Sequence, residues 1–179
     1  MKYNSSSLLV LLFLFGCQGQ PEQKQKNELT YFDLKGYFEK EVSRLAKANP
    51  VVEKTVSVNE SAETKKLRIA DWKKELEIFT DADINKAAWK GMFKVSQQSG
   101  YQLYTSDDEK IPVKELRLFY TEAGKELRGL QIVIHNTNML YTSSDTLAYY
   151  PDSLYQVKKS QDILLLSKKN YQIKAKFLL

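Results

Sequence analysis

An α+β fold follows from three observations on this 179-residue chain. Apolar residues recur at helical spacing only ahead of residue 80. From Met92 onward they alternate with a period of two, and turn-forming residues interrupt the alternation at short intervals. Short strands with short connections make an antiparallel β-meander, here of about six to eight strands. Two N-terminal helices are expected to pack on one of its faces.

The first helix is read from Leu34, Phe38, Val42 and Leu45, which form one stripe at three- and four-residue intervals. Lys35, Glu39, Lys40, Glu41 and Arg44 fill its wet side. Thr30 and Asp33 have the spacing of a capping box. Pro50 ends the helix, because the residue before a proline is pushed out of helical geometry. Val52–Val58 and Ala62–Ile69 then read as a hairpin turning at Asn59-Glu60-Ser61. Asp71 caps a second helix in which Trp72, Leu76 and Phe79 share a face.

The strands follow. Phe93-Lys94-Val95 and Tyr101-Gln102-Leu103-Tyr104 flank a turn at Ser99-Gly100. Lys114, Leu116, Leu118 and Tyr120 share one strand face, and Leu130, Ile132 and Ile134 do the same in the next. Thr142 to Tyr149 follows a turn at Asn136-Thr137-Asn138. Tyr171, Ile173, Ala175, Phe177 and Leu179 form the cleanest alternation. The phrase Tyr-Gln-aliphatic at 101, 155 and 171 is explained by shared strand patterning.

At the N-terminus, Leu8 to Phe15 is an uninterrupted apolar run, far below the ~20 residues a bilayer-spanning helix needs. It ends in Leu14-Phe15-Gly16-Cys17, which resembles the lipobox of bacterial lipoproteins. The resemblance implies that residues 1–16 are a signal peptide and that Cys17 is acylated and becomes the mature N-terminus. Residues 17–29 would then be the lipidated cysteine and a disordered tether, and 30–179 a single globular domain. Such a tether reaches on the order of 15–20 Å. Gln18 is not the aspartate that favours inner-membrane retention, so the resemblance implies the outer membrane, facing the periplasm. Asp71 to Phe79 with Asp83-Ile84-Asn85-Lys86 also resembles lipoproteins of Bacteroidota that carry no assigned activity.

Composition excludes more than it assigns. Lysines are spread along the chain rather than gathered into a basic patch with interleaved aromatics, which argues against nucleic acid as a partner. With Cys17 acylated, no disulfide is available within the chain. His135 is the only histidine, so the common zinc ligand sets are missing, and no cofactor or metal is expected. Asp81-Ala82-Asp83-Ile84-Asn85 opens like a calcium loop, but Lys86 and Met92 stand where the turning glycine and closing glutamate belong. Asp107-Asp108-Glu109 reads as a solvated loop.

Two patterns stay open as candidate sites. His135 lies near Ser143, Ser144 and Asp145 on adjoining strands, the residue types of a hydrolase, though no nucleophile elbow surrounds either serine. Tyr149-Tyr150-Pro151 is the best candidate contact surface, since tyrosine joins an apolar body to a polar tip. The leading expectation is a non-enzymatic accessory lipoprotein that binds a protein or envelope component. The alternative is a carrier of lipid or another apolar ligand, in a half-barrel like the lipoprotein-carrier fold. An enzyme, a hydrolase built on His135, is the third reading.

Overall fold

The computed structural model describes residues 29–121 and 126–178. The expected signal peptide, Cys17 and most of the expected tether therefore lie outside the described residues.

Helix α1 (Leu34–Ala48) starts at Asp33, whose carboxylate accepts from the Gly36 N–H at 2.8 Å. The cap is thus Asp33 and not Thr30: Asp33 stands immediately before the helix and its short side chain reaches the first turn. Asn49 closes the helix in the left-handed conformation that asparagine tolerates. Strands β1 (Val51–Val58) and β2 (Ser61–Arg68) form the expected hairpin.

The second helix departs from expectation. It divides into α2 (Trp72–Glu75), capped by Asp71, and α3 (Glu77–Asp81), with a break at Leu76. The break lets two large rings point to different places. Trp72 stacks on Phe177 at 5.9 Å between centroids, and Phe79 stacks on Phe38 of α1 at 4.9 Å.

Beyond a short 3-10 turn at Ala87–Trp89, the chain runs as a meander. Its strands are β3 (Lys94–Gln98), β4 (Tyr101–Thr105), β5 (Val113–Tyr120), β6 (Leu127–Thr137), β7 (Tyr141–Tyr150), β8 (Leu154–Ile163) and β9 (Lys169–Leu178). The sheet has nine strands rather than six to eight, in the order β2-β1-β9-β8-β7-β6-β5-β4-β3, all neighbours antiparallel. The extra strands come from the hairpin, which adds to the meander instead of standing apart: β1 pairs with β9. The edges are β2 and β3, and β2 is exposed and carries Lys65 and Lys66, which blunt it against pairing with another chain.

The core lies between the helices and one face of the sheet. Phe38, Leu34, Leu45, Leu76 and Phe79 pack on Leu116, Leu118, Leu130, Ile132, Leu147 and Tyr149, forming one continuous cluster. Among the described residues, no helix is long and apolar enough to cross a membrane.

Candidate functional site

Two tyrosines directly opposite each other, Tyr149 on β7 and Tyr155 on β8, attach the helices to the sheet. Tyr149 donates to Glu41 of α1, and the Arg44 guanidinium grips the same carboxylate through two bonds of 2.9 and 2.8 Å. Arg44 also reaches Asp152 in the β7–β8 turn at 2.7 Å. Tyr155 donates to Glu75 of α2 at 2.7 Å, and Lys54 on β1 holds that carboxylate from 2.6 Å. Helices α1 and α2 thus each present one glutamate to one tyrosine, with one cation behind it. Burial raises the phenol pKa of both tyrosines, and the accepting glutamates raise it further. Carboxylate bonds hold the Arg44 guanidinium more firmly protonated still.

The Tyr149-Tyr150-Pro151 segment therefore divides three ways. Tyr149 is 0 % exposed and belongs to the core, so it presents no contact surface. Tyr150 points to the opposite face, because successive strand side chains alternate. Pro151 sits in the β7–β8 turn, closed by a bond from the Ser153 N–H to the Tyr150 carbonyl.

On that opposite face, Tyr150 lies over Gly129, its neighbour on β6. A β-carbon on Gly129 would come within 2.3 Å of the tyrosine ring, so only glycine allows this approach. Phe119, opposite Gly129 on β5, stacks beside Tyr150 at 6.3 Å, and Tyr101 follows at 6.4 Å. Arg117 stands over the Tyr101 ring at 5.3 Å. At the end of this row, where the strand ends bring both faces together, is a hollow of about 920 Å³ lined by Phe119, Arg128 and Tyr150 and by Gln97 and Gln102, which the register places on the Leu118 side. Further along the face, Ser57, Ser144, Thr146, Lys158, Ser160 and Gln172 line a shallower polar depression of about 350 Å³. Among the described residues no helix packs on this side.

The hydrolase residues do not assemble. His135 pairs with Ser144 across β6 and β7 and both are exposed on the open face. Ser143 and Asp145 are buried on the covered face, where Asp145 meets Lys159 at 3.3 Å. Alternation places the acid and the histidine on opposite sides of the backbone, and no hydrogen bond joins the His135 ring to either serine among the described residues. Residues of the calcium-like stretch have another task. Asn85 accepts from the Tyr31 N–H at 2.9 Å and donates to the Phe32 carbonyl at 2.8 Å, clasping the segment ahead of α1. Asp107 pairs with Lys94 at 2.6 Å, and the Asp108 carboxylate accepts from the Lys110 N–H at 2.8 Å. No cluster of three or more potential metal ligands occurs among the described residues.

A third concavity opens on the covered side. Beside α2 and α3 an apolar groove of about 570 Å³ is lined by Leu67, Ile69, Ile78, Val157 and Ile173, with Lys54 and Glu75 at its rim. Phe119, Gly129 and Arg117 were not singled out as site residues by their sequence. The signal was present in the alternation, which puts Arg117 and Phe119 on the side opposite Leu116 and Leu118. Comparison with protein-family models, curated proteins and solved structures found no match.

Proposed function

We propose that this chain is a lipid-anchored, non-enzymatic accessory protein of the bacterial envelope that binds a protein or other envelope component through the open face of its sheet. The anchor is Cys17, in the lipobox-like sequence, and the membrane is the outer one, facing the periplasm. One observation carries the binding part: the row Tyr101-Phe119-Tyr150 is set on a face without packing partners and ends in a hollow lined by Phe119, Tyr150 and Arg128. Flat rings beside adaptable polar side chains are the make-up of recognition surfaces. A photo-crosslinker placed at Phe119 in the native envelope should give a discrete adduct that is lost when Tyr150→Ala is added. The same group at Glu39, on the outer side of α1, should give none. Equal labelling at the two positions, or no adduct at either, would remove this reading.

The apolar groove beside α2 and α3 favours a second reading, a carrier of lipid. The helices fill the centre of the sheet, so a ligand would lie in the groove and not in an enclosed barrel. Native mass spectrometry of protein taken from its own membrane decides between the two. A reproducible lipid mass, lost with Ile173→Asp, supports the carrier; a bare chain supports the accessory protein.

A further inference from the structure

Ile163-Leu164-Leu165-Leu166 breaks the alternation of the strands around it. It leads into the β8–β9 turn, where Leu164, Leu165 and Leu166 are 61 %, 95 % and 59 % exposed. The neighbouring β6–β7 turn carries Met139 and Leu140, also exposed, and the Leu164 N–H donates to the Leu140 carbonyl at 2.9 Å. The two tips form one apolar surface. Consecutive apolar residues left in water mark a contact site or an aggregation hazard.

The backbone adds an independent sign. Among the described residues, four that are not glycine adopt positive φ: Asn49, Asn59, Asp152 and Leu165. The first three are types that suit the left-handed region, whereas leucine at φ +66° is strained there. Leu165 points to solvent, so burial in the fold does not compensate. An asparagine or glycine would turn the chain more cheaply.

The position of this surface relative to the chain's entry tells what it meets. Antiparallel pairing puts the β6–β7 turn, the β8–β9 turn and the start of β3 at the same end of the sheet. The chain enters the fold at that end: the Tyr31 hydroxyl accepts from the Phe93 N–H at 3.1 Å, and Phe93 immediately precedes β3. Tyr31 also packs edge-on against Phe93 and Tyr104. The described residues therefore begin at the end of the sheet that bears the leucines, and Lys168 and Lys169 follow those leucines after a single serine, Ser167.

We propose that the two turns dip into the interfacial layer of a lipid bilayer, with Lys168 and Lys169 against the headgroup phosphates. Apolar tips joined to nearby lysines are suited to this depth, where hydrocarbon and anionic groups meet. The proposal extends the anchored-protein reading, which supplies the membrane, but it makes its own demand: the tip must bind lipid when no acyl chain is present.

Among the described residues the buried apolar side chains all lie between Tyr31 and Phe177, so a chain starting at Gln18 keeps them while lacking Cys17 and the apolar leader. That chain should float with vesicles of phosphatidylethanolamine containing a minority of phosphatidylglycerol. Replacing Leu164, Leu165 and Leu166 by serine should weaken partitioning by about tenfold or more. Lys168→Glu with Lys169→Glu should cause a smaller loss, one that added salt reproduces in the parent. Leu165→Asn separates binding from folding: it should leave the unfolding midpoint unchanged or raised and still reduce flotation. A parent chain that stays in solution, or a triple variant that floats equally well, overturns the proposal. So does a triple variant whose only defect is loss of a dimer in sedimentation, which would make the tip a self-interface. An unacylated Cys17 in the native protein would sink the anchor reading and leave the flotation result untouched.

Discussion

The two faces of this sheet are woven from the same alternating strands, yet they hold their aromatic residues by different means. On the covered face the rings of Tyr149 and Tyr155 are buried and their hydroxyls are committed to Glu41 and Glu75. On the open face Tyr101, Phe119 and Tyr150 rest on one another and on a glycine, with their outer sides free of packing elements. The first arrangement is closed: both phenols have a carboxylate partner and both rings have aromatic neighbours. The second is a platform. Stability should therefore be concentrated on one side and recognition on the other.

The largest effect should come from the centre of the covered face. Phe38 stacks on Phe79 and meets Tyr149 edge-on, so Phe38→Ala should cost about 3–5 kcal/mol in urea unfolding. Gly129→Ala sharpens the contrast, because it injures the fold from the open side. Its β-carbon would collide with the Tyr150 ring and press on the Tyr149 carbonyl at 3.0 Å, a cost of about 1–3 kcal/mol. Most of that should return when Tyr150→Ala is combined with it, if the ring and not the backbone is the obstacle.

Tyr149→Phe removes one donor from Glu41 and should cost about 1–3 kcal/mol, since a buried carboxylate oxygen loses a partner. The same phenols set an alkaline limit. Burial first, and the neighbouring carboxylates second, raise the pKa of Tyr37, Tyr149 and Tyr155 in the folded chain. Unfolded tyrosines ionise near pH 10. Above that the folded form binds more protons than the unfolded one, so stability is complete below about pH 10 and falls as pH rises. The slope is up to about 1.4 kcal/mol per pH unit for each tyrosine, and Tyr149→Phe should flatten it by one share. The smallest effect should be Phe119→Ala on the open face, about 1 kcal/mol or less in stability, with its loss felt in binding. A Phe119→Ala cost equal to that of Phe38→Ala would mean that the two faces are not different in kind.

Strand alternation made the meander readable, because a period of two survives in sequence whatever the neighbours are. Leu116, Leu118, Leu130 and Ile132 announced their face, and Asp71 announced its helix. The break at Leu76 was not legible: Trp72, Leu76 and Phe79 keep helical spacing, and only the separate destinations of Trp72 and Phe79 force the bend. The tyrosine–glutamate pins were hidden for a similar reason. Tyr149 is separated from Glu41 by 108 positions, and Tyr155 from Glu75 by 80, distances over which local pattern carries no information. Within Tyr149-Tyr150-Pro151 alternation does predict that the two rings part company, but which one the helices would cover depended on α1. The His135 grouping shows the converse case. Ser143, Ser144 and Asp145 are adjacent in sequence, and the strand's own pleat divides them between two faces.

The pairing of β1 with β9 carries a consequence for how the molecule comes into being. A chain that emerges N-terminus first delivers the β1–β2 hairpin early, yet the strand beside which it belongs is the last to arrive. Until residues 169–178 appear, Val52 has no Phe177 to face and the hairpin's inner edge is open. Contacts spanning so much sequence are slow to form. The incomplete chain is one in which two β edges wait for their partner. Loss of residues 169–178 would strand the hairpin and expose Tyr155, so truncation there should be far more damaging than removal of an equal length ahead of Leu29.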